Sequence, residues 1–194
     1  MKIITCSGVD GSGKSTQIEL LKNYLEDSNN RVYYFHAISF SIANKNTKPG
    51  TKPAVTKASW TKIQARKIVF LIDLLRFEFL LSKLEKNGYN FLISDRYFFD
   101  TLVNILYLSK NKKTRDFGVY FLAKLIKKPD IAIYLNTTAT EITKRHREIE
   151  QGTQYLKDKI KIYKSVLVNW DIVEVDGNQK KNKVFEDIKK LIKL

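Results

Sequence analysis

Ser7-Gly8-Val9-Asp10-Gly11-Ser12-Gly13-Lys14-Ser15-Thr16 fits, from Gly8 to Ser15, the spacing G-x-x-x-x-G-K-[ST]. An apolar run, Ile3-Ile4-Thr5-Cys6, precedes it, and a segment with Ile18, Leu21, Tyr24 and Leu25 on one helical face follows. Strand, glycine-rich loop and helix form the context in which this spacing cradles a polyphosphate. The residue types follow from the chemistry. Gly8, Gly11, Ser12 and Gly13 bring successive N–H groups close to phosphate oxygens, and the helix start adds its own free N–H groups and dipole. The Lys14 ammonium reaches the β- and γ-phosphates, the Ser15 hydroxyl ligates Mg²⁺, and Thr16 lies on the same first turn. The stretch predicts binding of a nucleoside triphosphate.

The remainder of the composition bounds the class. At 194 residues, 43% hydrophobic and 12% aromatic, the chain reads as a single globular domain over 1–194. Its one cysteine, Cys6, excludes an intrachain disulfide framework and suits a reducing cytoplasm. Met1-Lys2 leads straight into the first strand, so no leader is expected. The most apolar stretch, Ile68 to Leu81, carries Asp73, Arg76 and Glu78 and is too short and charged to span a bilayer. The net charge of +15 and the pI near 9.7 fit a nucleic-acid footprint, a field that attracts small polyanions, or a lysine-rich proteome. Lysines spread along the chain favour the second.

Five short β-forming runs alternate with helical patterns: 2–6, 31–35, 91–93, 131–135 and 172–175. This predicts an α/β fold, a three-layer P-loop NTPase with a five-stranded parallel sheet covered by helices on both faces. Between the second strand and a helix over about 56–87, residues 36–55 form a long irregular stretch, too long for a simple connector, and read as an acceptor-binding loop or lid. The helix is apolar nearly all round at its centre, which predicts burial against the core and against a second subunit.

Further landmarks narrow the class. The third strand runs into Asp95-Arg96-Tyr97, a carboxylate and a guanidinium at the carboxyl edge of the sheet, where ligands of open α/β folds collect. Pro129-Asp130 precedes the fourth strand, Lys144-Arg145-His146-Arg147 follows it, and Asp176-Gly177 closes the fifth. On these motifs, and on the loop with Asp10 and Gln17, the chain resembles the thymidylate kinases over most of its length. The resemblance implies ATP and Mg²⁺ as donor and metal, dTMP as acceptor, and commonly a homodimer formed through long helices. Lys14 and Ser15 then serve the donor phosphates and metal, with Asp95 near the magnesium. Asp10 accepts from the acceptor sugar's 3′-hydroxyl, Arg96 takes the acceptor phosphate, and Tyr97 stands beside it. Phe70 falls where the family stacks an aromatic on thymine, or else packs in the core. Arg145 and Gly177 lie near the donor's base and phosphates. A lid over about 145–153 follows, with Gln151-Gly152 as hinge. Arg145 or Arg147 supplies a catalytic cation from there, unless both are solvated helix charges.

The departures bear on the base and sugar. An Arg-Glu-Pro-Gly-Gly-Thr-like segment after the second strand is echoed only by Lys48-Pro49-Gly50-Thr51. Leu74 replaces the arginine that reads the thymine carbonyl, leaving Arg66 or Asp73 to supply that polar contact. Asn104 stands where the family crowds the sugar's 2′ position with an aromatic. One feature supports a phosphate acceptor without the resemblance. No carboxylate occurs between Asp27 and Asp73, although eight lysines and arginines do. A hydroxyl acceptor needs a general base; a monophosphate is already anionic and needs positioning and charge neutralisation. The competing readings are a P-loop ATPase acting on nucleic acid, which lacks here a strand of interleaved aromatic and basic residues, and a kinase of another small phosphorylated metabolite.

Removal of the loop cation is the direct test of the motif. Lys14→Ala is expected to lower turnover about a hundredfold or more, the size of a lost electrostatic contact to a migrating charge. Turnover within threefold of the parent in a steady-state assay would refute the assignment.

Overall fold

In the computed structural model, which describes residues 1–44, 58–109, 117–145 and 152–192, five parallel strands form one sheet in the order β2-β3-β1-β4-β5. The strands are β1 (Lys2–Ser7), β2 (Val32–His36), β3 (Phe91–Asp95), β4 (Ile131–Asn136) and β5 (Val173–Asp176). Eight helices surround them among the described residues: α1 (Lys14–Asp27), α2 (Ala37–Phe40), α3 (Trp60–Lys86), α4 (Phe98–Ser109), α5 (Phe117–Lys124), α6 (Ala139–Lys144), α7 (Gly152–Val166) and α8 (Lys181–Leu191). A 3₁₀ turn covers Ile42–Asn44. The five strands and the parallel sheet agree with the sequence reading, and boundaries move by one or two residues.

The period-2 alternation of each strand divides its side chains between two apolar layers. Ile3, Leu92, Ala132 and Tyr134 face a core shared with α3, α4, α5 and α7. Ile4, Cys6, Phe91, Ile93, Ile133 and Leu135 face the other core, with α1 and α8. Strands buried on both sides read as continuous apolar runs, as parallel sheets require. Burial pushes the Cys6 thiol up to about 12, so it is a small apolar filler. The Asp130 carboxylate accepts from the Ile3 N–H at 2.7 Å, which gives the Pro129-Asp130 pair a structural role at the start of the central strand.

Helix α3 explains its own all-round apolarity. Ser59 caps its start by accepting from the Lys62 N–H. Ile63, Phe70, Leu74, Phe77, Leu81 and Leu84 are buried in the core, each such side chain contributing about 1.5–3 kcal/mol. On the opposite face Ile68, Ile72, Leu75 and Phe79 stand exposed, Phe79 at 78%. Only one half of the helix is thus buried within the chain.

The register brings the site together. His36 pairs with Asp95, and Asp95 with Cys6, so the carboxyl ends of β2 and β3 and the loop after β1 lie side by side. Ser7 is level with Tyr134, and Asn136 with Asp176. Most of the 36–55 loop and most of the lid expected from sequence lie outside the described residues.

Candidate active site

The loop between β1 and α1 closes on a cavity of about 170 Å³ lined by Asp10, Lys14, Ser15, Thr16, Asp95 and Arg96, with Gly11, Gly13 and His36. Gly13 is the N-cap of α1 at φ 98°, a left-handed conformation open to glycine, and no side chain caps the helix there. The first-turn N–H groups therefore remain for an anion. The Lys14 ammonium is 6% exposed and donates to the Val9 carbonyl at 2.9 Å. Burial, reinforced by the Arg96 charge, lowers its pKa to about 8. A polyphosphate in the cavity would reverse that shift, since the charged form gains a counter-ion. Among the described residues Ser12 Oγ is buried without a partner, a further unspent polar group in the loop.

Ser15 Oγ lies 3.4 Å from Asp95 Oδ2, which also faces the Tyr34 hydroxyl at 3.4 Å. One hydroxyl and one carboxylate are the hard oxygen donors that suit Mg²⁺ shared with phosphates and water. Among the described residues no group of three His, Cys, Asp or Glu could cage a metal. The donor set fits a metal carried in with phosphate.

Arg96 is held from several sides. Its φ of 63° turns the chain sharply from β3 into α4. One guanidinium nitrogen pairs with Asp10, and the other donates to Gly8 O at 3.3 Å and faces Asp100 at 3.5 Å. Burial alone would weaken its charge; Asp10 and Asp100 outweigh that and hold it fully protonated. Burial also opposes ionisation of Asp10, but Arg96, Lys14 and Lys159 prevail and keep its carboxyl below the usual range.

Asp100, which the sequence reading did not single out, stands behind Arg96 of the cavity wall. It is 2% exposed and accepts from Ser7 Oγ and Tyr163 OH at 2.6 Å and from the Tyr97 N–H at 2.8 Å. A carboxylate three residues after the helix N-cap that returns to the cap's own N–H is one half of a capping box. That spacing, Tyr97 to Asp100, is the signal the sequence offered.

Arg145 is brought to the phosphate loop. It donates to Ser12 O at 3.4 Å and to Gly177 O at 2.8 Å, and pairs with Glu141 at 3.5 Å. Gly177 has a steric reason: an added Cβ would stand 2.2 Å from Thr137 Oγ1, which itself donates to Ser12 O. Gln17 ties α1 to α8 through the Lys181 carbonyl at 3.0 Å. Arg147 lies outside the described residues.

The acceptor residues divide. Asp10, Asp95 and Arg96 line the cavity. Tyr97 does not: with φ reversed at Arg96, its ring turns into the core against Phe77, Phe98 and Phe99, and its hydroxyl donates to Lys127 O at 2.8 Å. Phe70 is 2% exposed with its ring edge-to-face on Phe98. Asp73 is buried and accepts from the Ile42 N–H at 3.1 Å and from Arg76 at 2.8 Å. Arg76 also donates to Phe40 O and lies over the Phe40 ring. The pair Asp73–Arg76 therefore fastens the segment after β2 onto α3, and Asp73 is spent on that contact. Arg66 sits half-buried one turn before Phe70. Asn104 accepts a hydrogen bond from the Lys159 ammonium of α7.

The thymidylate kinase family model matches residues 7–188. A probable thymidylate kinase of Methanosphaera stadtmanae is 28% identical over 193 residues, covering 97% of this chain and 96% of that protein. Thymidylate kinases of Mesoplasma florum and Buchnera aphidicola are each 28% identical, covering 97% and 94% of this chain and 93% and 90% of theirs.

The Asp100 network yields a direct test. Asp100→Asn places an N–H donor among groups that all donate, so Arg96 loses part of its support. The acceptor KM is expected to rise several-fold and kcat to fall about tenfold, with the ATP KM unchanged and a stability loss of about 1–3 kcal/mol. Steady-state kinetics with urea unfolding measures both; unchanged kinetics would remove Asp100 from the site.

Proposed function

We propose that this chain, which belongs to the thymidylate kinase family, phosphorylates dTMP to dTDP with ATP and Mg²⁺ as a soluble enzyme of the cytoplasm. The observation that carries this reading is a cavity with two cations of different origin. Lys14, on the loop before α1, serves the donor phosphates, and Arg96, fixed by Asp10 and Asp100, serves the acceptor phosphate. Arg145 adds a third cation from the donor side. Among the described residues no helix is long and apolar enough to cross a membrane.

In this reading Ser15 and Asp95 hold Mg²⁺, which when bound screens the charge on the donor phosphates. Lys14 leaves the Val9 carbonyl and donates to the transferred group. Arg96 orients the acceptor phosphoryl oxygen for in-line attack, and no side chain has to remove a proton, because the nucleophile is already an anion. Asp10, its side chain 64% exposed, remains open to a sugar hydroxyl. Gly8, Gly11, Ser12, Gly13 and Thr16 contribute backbone and first-turn groups around the phosphates.

A panel of nucleoside monophosphates with ATP and Mg²⁺, followed by ADP release with and without DNA, tests the assignment. ADP is expected with dTMP at a kcat/KM at least tenfold above the other monophosphates, and DNA is expected to have no effect. ADP formation that requires DNA would overturn the reading in favour of the nucleic-acid ATPase.

The bare face of α3 supports pairing of two chains. Ile68, Ile72, Leu75 and Phe79 form a stripe along that helix, and large exposed apolar stripes mark interaction surfaces. Sedimentation equilibrium is expected to give twice the chain mass of 22.6 kDa. Phe79→Glu is expected to give a folded single chain, and an unchanged parent mass in that variant would exclude this face as the interface.

A further inference from the structure

One buried cation beside the cavity has no part in the chemistry above. Lys159, on α7, is 5% exposed, and its ammonium donates to the Asn104 amide oxygen on α4. The rings of Tyr155 and Tyr107 stand 5.5 and 6.0 Å from it. The carboxylates whose charge it senses, Asp10 and Asp100, are already engaged by Arg96. Desolvating an ammonium costs several kcal/mol, and a neutral amide with two aromatic walls offsets only part of that. An apolar side chain of similar volume would serve packing as well or better. The arrangement makes physical sense if an anion arrives to complete it.

The location specifies which anion. Lys159 lies close enough to Arg96 and Lys14 for their charges to act on it, and Tyr163, one turn further along α7, donates to the same Asp100 that pairs with Arg96. Residues 36–44, which follow β2 along the same edge, contain neither lysine nor arginine. We propose that Lys159 is a further acceptor-binding residue, its ammonium taking the phosphoryl oxygens of the monophosphate beside Arg96. This rests on the kinase reading of the same cavity and deepens it.

The consequence is a proton linkage. Burial, then repulsion from Arg96, pulls the Lys159 pKa down to about 7, so in the free protein it is partly neutral at pH 7.5. A phosphate beside it favours the charged form, and binding must take up protons. The charges that act on Lys159 are those of Arg96, Asp100, Asp10 and Lys14; the rings of Tyr107 and Tyr155 stand against its ammonium, Tyr163 lies one turn along its own helix, and His36 belongs to the cavity lining. Arg96 stays charged, and burial keeps Tyr155 and Tyr163 neutral. Burial lowers His36, leaving it neutral above pH 7. Lys14 titrates near 8, so the donor site is held saturated. The second ionisation of a monophosphate, near pH 6, is complete by then.

The experiment is calorimetric titration of dTMP into the protein saturated with Mg²⁺ and a non-hydrolysable ATP analogue, at pH 7.5, in two buffers of different ionisation enthalpy. Uptake of about half a proton or more is expected with dTMP, and none with thymidine, which lacks the phosphate. Lys159→Met is expected to abolish the uptake and raise the acceptor KM at least tenfold, with the ATP KM within twofold. The acceptor KM of the parent is expected to rise between pH 7 and 8.5, and Lys159→Met is expected to remove that rise. Absent uptake in the parent, equal uptake with thymidine, or parental uptake and KM in Lys159→Met would each overturn the proposal. The parent titration decides whether or not the variant folds. Should the parent not turn over dTMP, the kinase assignment of the base fails separately, and the titration uses the monophosphate that is turned over.

Discussion

A guanidinium buried at the carboxyl edge of a sheet carries a desolvation cost, and in this chain two carboxylates from different elements meet it. Asp10 comes from the phosphate loop and Asp100 from the first turn of α4, and both converge on Arg96. Gly8 O adds a backbone contact from the loop itself. Because these groups sit on three separate segments, Arg96 joins the loop to β3 and α4. The left-handed turn at Arg96 belongs to the same constraint: it aims the guanidinium at the loop and sends the next residue into the core. Local strain of about 1–3 kcal/mol at such a residue is tolerable where surrounding contacts over-determine it. Asp100 is in turn held by Tyr163 from α7, so that helix, which carries Lys159, is tied to the same centre.

The parts of this arrangement that were legible from sequence are those encoded by neighbours along the chain. Strand alternation, the G-x-x-x-x-G-K-S spacing and the position of Asp95-Arg96 after an apolar run are all short-range patterns, and the residues they single out line one cavity. Aromatic residues were harder. Phe70 and Tyr97 carry the same composition whether they stack on a base or fill a core, and Tyr97 fills the core. Asp73 offered a polar group on the right face of a helix, yet its partner Ile42 lies 31 residues away, a pairing no local pattern reveals. Lys159 sits in Lys157-Asp158-Lys159-Ile160-Lys161, a run that reads as a solvated helix face. Only the crossing of α7 over α4 distinguishes its buried lysine from the others.

The donor side shows how a small residue can follow from a neighbour's choice. Thr137 is fully buried and spends its hydroxyl on Ser12 O, which leaves no room for a Cβ at Gly177. Here the threonine hydroxyl occupies the space that a methyl would need. Arg145 then reaches the Gly177 carbonyl, so loop, β5 edge and lid base share one hydrogen-bonded seam.

The single cysteine carries a practical implication. Cys6 lies in the central strand, 5% exposed, with its thiol held neutral far above physiological pH. Thiolate, not thiol, reacts with alkylating and disulfide reagents. Labelling of this chain therefore reports the rare openings that expose β1 between its two cores. The rate at which a thiol reagent is consumed becomes a built-in clock for the most protected part of the sheet. Any ligand that binds the closed protein should slow that clock in proportion to its affinity.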